Sequence, residues 1–66
     1  MHLTVEGRRL PVAQLGPDFV ILEKAENHPP ATGEMTLSID GRERRWNVRL
    51  PDGMRAGETE VRIVGE

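Results

Sequence analysis

Apolar and polar residues alternate along most of this chain. Leu3 and Val5 are separated by one polar position, as are Val61 and Ile63, and Leu10 and Val12 keep the same spacing around Pro11. Met35, Leu37 and Ile39 follow the same rule, as do Trp46, Val48 and Leu50. A period of two marks strands with one buried face. Helical periodicity never persists for three turns, and the 7 glycines and 5 prolines interrupt it. The pattern predicts an all-β fold: a small antiparallel barrel or sandwich of five or six short strands built from hairpins, with residues 1–66 as one domain.

The second hairpin has the clearest signal. Asp40-Gly41 suits a type I′ turn, whose two central residues need positive φ. That turn pairs Ile39 with Arg42, Leu37 with Arg44 and Met35 with Trp46. The two apolar sets then share a face. In the first hairpin, a Gly7-Arg8 type II′ turn would pair Val5 with Leu10 and Leu3 with Val12. Pro11 would then face Thr4, on a strand that is an edge or bulged, because proline cannot donate to a ladder.

Between the hairpins, Leu15-Gly16-Pro17-Asp18 reads as a turn. Phe19-Val20-Ile21-Leu22 reads as a central strand that is apolar on both faces. Phe19 and Ile21 are assigned to the core; Val20 and Leu22 need a second cover, from the barrel or from a partner chain. Lys24 to Gly33 is expected to be irregular, with a short helical turn at Glu23–Asn27 as the alternative. Pro51-Asp52-Gly53 is a turn, Met54 to Glu58 is irregular, and Thr59 to Val64 is the last strand. The expected core is Leu3, Val5, Leu10, Val12, Phe19, Ile21, Met35, Leu37, Ile39, Trp46, Val48, Leu50, Val61 and Ile63.

Composition narrows the class. A chain of 66 residues has a marginal core unless something supplements it. With 0 cysteines, neither disulfides nor thiolate metal sites are available. The two histidines, His2 and His28, are far apart in sequence. No metal or cofactor is therefore expected. Packing or self-association is left to supply the extra stability. The formal net charge is −2, with 9 basic and 11 acidic residues interspersed, so neither a basic nor an acidic tail exists. The longest apolar run, Phe19 to Leu22, is too short to span a membrane. The start, MHLTVEGRR, has no signal-peptide apolar region. A cytoplasmic location is expected, and Met1 is read as the start of a free-standing protein.

Candidate chemistry is concentrated in SIDGRERRWNVRLPDG, residues 38–53. Arg42, Arg44, Arg45, Asn47 and Arg49 surround the single tryptophan, Trp46, and form the candidate interaction surface. Strand alternation divides them. Arg45, Asn47 and Arg49 lie on the outer face, whereas Arg42 and Arg44 share the face of Trp46 near the hairpin tip. Sheet-type binders of single strands present several aromatics on one face. This chain has only Phe19 and Trp46. The arginines are read first as solvated, edge-protecting residues, then as a protein interface, and then as a nucleic-acid surface.

The RxxxR spacing of Arg45 and Arg49 resembles that of PilZ domains, small β-barrels that bind cyclic di-GMP. In that family the motif precedes the barrel and is followed by D/NxSxxG. Here it lies within a late strand and no such motif follows. These five residues therefore assign no family.

No catalytic constellation emerges. Ser38, the only serine, is placed mid-strand beside Glu43, with no general base at hand. His28 lies in a proline-rich loop and reads as solvated, and Asp18 as a turn former. The glycines are single turn residues rather than a phosphate cradle. The sequence is read as a non-catalytic protein-interaction module, self-associating. A nucleic-acid module using residues 42–49 is the alternative, and a small ligand at Glu26–Pro30 is a third reading.

Overall fold

The fold is that of a computed structural model describing residues 1–65. Asp40 and Gly41 both sit at positive φ, +50° and +78°. They form the type I′ turn between β4 (Ala31–Ile39) and β5 (Arg42–Leu50). The expected register holds along the whole hairpin, with Ile39 opposite Arg42, Leu37 opposite Arg44 and Met35 opposite Trp46.

The first hairpin joins β1 (His2–Val5) to β2 (Arg8–Leu15). Its turn is Glu6-Gly7, at φ +49° and +79°, in place of the expected Gly7-Arg8. Val5 consequently pairs with Arg8 and Leu3 with Leu10. The slip of two residues keeps every side chain on its expected face, which is why alternation alone could not detect it. Pro11 is opposite His2 rather than Thr4, on an interior strand. In this register its nitrogen points toward β3 (Phe19–Leu22), beyond the last β2–β3 pair, Val12 with Leu22. The Pro11 carbonyl oxygen accepts from the Glu23 N–H at 3.1 Å, and only the reciprocal bond is forgone for want of an N–H. A bulge follows between Val12 and Gln14.

The last run is split. β6 (Glu60–Arg62) pairs with β3, and β7 (Val64–Gly65) pairs with β5. Seven strand segments result, where five or six strands were expected, because the chain changes partners at Ile63. The order is β6-β3-β2-β1-β4-β5-β7, and every pairing is antiparallel. The sheet curls into a half-barrel, and its two outermost strands are consecutive pieces of one C-terminal run. That run bridges the two ends of the sheet.

The core lies inside the curl: Leu3, Val5, Leu10, Val12, Val20, Leu22, Met35, Val48, Leu50, Met54, Val61 and Ile63 are buried. Strand β3 is inverted relative to expectation. Val20 and Leu22 face the core, and Phe19 and Ile21 are half-buried on the other side. A run apolar at both parities carries no facing signal of its own; pairing of Val20 with Leu15 and Val61 decides it. The Phe19 ring fills the space a side chain at position 16 would need, so Gly16 provides its seat.

Three expected core residues on the long hairpin are not fully buried. Leu37 and Trp46 are half-buried and Ile39 is 57% exposed, because the hairpin tip extends past the residues that line the core. The irregular stretch is shorter than expected, since β4 begins at Ala31, and no helical turn forms at Glu23–Asn27. Met54 was not expected in the core. It is brought there by mutual backbone bonds with His28, of 2.9 and 2.8 Å. Gly53 permits this contact: its φ is +65°, and a Cβ there would lie 2.2 Å from the His28 carbonyl oxygen.

Candidate docking surface on the β4–β5 hairpin

The five singled-out residues separate as alternation predicts. Arg45, Asn47 and Arg49 are exposed on the outer face. Arg45 donates to Glu43, and this contact raises the guanidinium pKa above its ordinary value. With Thr4, Arg9 and Thr36 it borders a polar depression on the outer sheet face. Arg49 borders a separate hollow beside Pro30 and Pro51. Asn47 is opposite Glu34. No single patch gathers all five.

Arg42 and Arg44 belong to the other face. With Leu37, Ile39 and Asp40 they line an open hollow of about 540 Å³ at the hairpin tip. Leu37 is directly opposite Arg44, and Ile39 is directly opposite Arg42. The next pair along the same face is Met35 with Trp46. The apolar face that fills the core therefore continues outward past Trp46 into solvent. Among the described residues, neither Arg42 nor Arg44 forms an ion pair.

The hairpin also leaves backbone unpaired. In a two-residue I′ hairpin the residues flanking the turn bond each other, so even-numbered residues of β5 bond to β4. Odd-numbered residues direct their N–H and C=O groups to the opposite edge. There β7 covers only Val48 and Arg49. The backbone groups of Glu43 and Arg45 consequently face an edge that no described strand covers. Alternation pointed to the division of the arginines, but the exposed edge depends on how far β7 reaches, which no local pattern encodes.

The other sequence candidates are placed as follows. Ser38 is exposed opposite Glu43. His28 is tied into the fold: Nδ1 lies 2.7 Å from the Pro29 carbonyl oxygen and Nε2 lies 3.2 Å from Glu6. The Pro29 carbonyl first, and then Glu6, raise its pKa above the ordinary 6.5, since both favour a protonated ring. Beside it, Arg8 donates to Glu26 at 2.7 Å. These contacts fasten the Glu26–Pro30 segment to the first hairpin turn. Among the described residues, no group of three or more His, Cys, Asp or Glu side chains could hold a metal ion, and no helix is long and apolar enough to cross a membrane.

Comparison with protein-family models, with curated proteins and with solved structures finds no match to this chain.

Proposed function

We propose that this chain is a small, cytoplasmic, non-catalytic module for protein–protein interaction, and that it docks through the β4–β5 hairpin. The observation that carries this reading is the apolar strip of Leu37, Ile39 and Trp46, which continues the core face into solvent. An apolar surface edged by charged side chains is the usual composition of a docking site. The absence of catalysis is supported by the chemistry. Among the described residues no polar or charged side chain is buried, so none has the desolvated setting that tunes an acid, base or nucleophile.

A second copy is one candidate partner. Val20 and Leu22, the apolar surplus expected to drive self-association, are interior, and the tip strip is the apolar surface left to serve it. The reading is tested by amide NMR mapping of an apolar anion, anilinonaphthalene sulfonate, together with a dilution series. Shifts confined to residues 37–46 and abolished by Ile39→Lys support it. Shifts centred elsewhere overturn it, and spectra unchanged on dilution remove self-association.

Nucleic-acid binding is the second reading, favoured by the unpaired Arg42 and Arg44 near a half-buried Trp46. Against it stand the two aliphatic side chains directly opposite them and the opposite facing of Arg45 and Arg49. Indole emission that does not move with added oligonucleotide removes it.

A further inference from the structure

We infer that the partner of this hairpin is an extended, acidic peptide segment that adds to the free edge of β5 as a further strand. The inference rests on the hairpin being the docking element and names what it takes.

Three observations converge on one edge. First, among the described residues Glu43 and Arg45 present backbone donors and acceptors that β7 does not reach. An edge of this kind accepts an extended segment through main-chain bonds, with alternate side chains providing selectivity. Second, Arg42 and Arg44 stand next to that edge on the core-side face without ion-pair partners among the described residues. Residues directly opposite on adjacent strands share a face, so carboxylates on the incoming strand would meet them. Third, Trp46 follows on the same face, half-buried, and offers an apolar position beyond the two charges. The complementary segment therefore carries acidic side chains opposite Arg42 and Arg44 and an apolar one opposite Trp46.

A second copy fits this edge poorly. Antiparallel pairing of β5 with itself around Arg44 sets Arg44 opposite Arg44, and pairing around Arg45 sets Arg45 opposite Arg45. Like charges directly opposite are destabilising. The single acidic residue of that strand, Glu43, is already engaged by Arg45.

The test uses the whole chain and a synthetic seven-residue peptide with glutamate, glutamate and valine at alternate positions and threonine at the positions between, with a lysine-for-glutamate control. Amide NMR and hydrogen exchange provide the readout. The expected result is saturable, salt-sensitive binding of the glutamate peptide alone, with new protection at the amides of Glu43 and Arg45. Arg44→Glu should weaken it about fivefold, the factor for one exposed ion pair. N-methylation of alternate peptide amides should abolish it without touching the fold of this chain. Arg45→Pro is the matching change on the protein side, since that N–H faces away from β4.

Binding that survives N-methylation overturns strand addition. If the peptide does not bind but dilution still shifts residues 37–46, the acidic segment is wrong and the docking hairpin stands. Binding mapped away from the hairpin overturns both. Tighter binding of single-stranded RNA than of the peptide, with shifts at Arg42 and Arg44, replaces the peptide by a nucleic acid.

Discussion

His28 shows how one side chain can hold a loop and carry a pH dependence. Its ring has an acceptor at each nitrogen, the Pro29 carbonyl oxygen and the Glu6 carboxylate. Only the imidazolium can donate to both. The folded pKa is therefore raised above 6.5. A raised pKa stabilises the fold fully below the unfolded value, and that stabilisation is lost as pH rises through the folded value. The urea midpoint should accordingly fall as pH rises above 6.5 and through the raised folded value, and His28→Asn should flatten the change. Paired urea titrations of the two proteins measure it. None of this was legible in the sequence, where ENHPP reads as a solvated loop. The contacts that matter join His28 to Glu6 and to Met54, partners 22 and 26 positions away.

At the scale of elements, the two hairpins differ in how much of them local chemistry dictates. Asp40-Gly41 matches its turn type at both positions, and the register follows. In the first hairpin the turn sits on Glu6-Gly7, and a non-glycine residue takes the left-handed conformation. That conformation costs about 1–2 kcal/mol at Glu6. Sequence favoured the neighbouring turn because it spares that strain. Strand β3 was misfaced for a different reason, four consecutive apolar residues. The division of the arginines was legible, because strict alternation in β5 leaves no freedom. The long hairpin also separates position from burial. Leu3 and Ile39 both obey the apolar alternation, yet Leu3 is 0% exposed and Ile39 57%. Leu3→Ala should cost about 2–5 kcal/mol, by lost burial and a cavity. Ile39→Ala should stay within about 0.5 kcal/mol. Chemical denaturation of the two variants distinguishes a core strand from a projecting one.

The molecule as a whole is held by its last segment. Val61 pairs with Val20 at one end of the sheet, and three residues later Val64 pairs with Arg49 at the other. Removal of residues 59–66 should leave no cooperative unfolding transition, whereas a chain held by local hairpins alone would keep one. Circular dichroism during heating decides between them. The same arrangement bears on how the protein is made. A hairpin forms in about 1–10 μs, but the ribosome adds only about 5–20 residues per second. The capping run follows in sequence every strand it caps, so a hairpin can form long before its cap is made. Neighbouring ribosomes on one message hold many such unfinished copies close together. Arg42, Arg44, Arg45 and Arg49 all lie on the strand that waits for its cap, and like charges there disfavour the zipping of one uncapped copy onto the next.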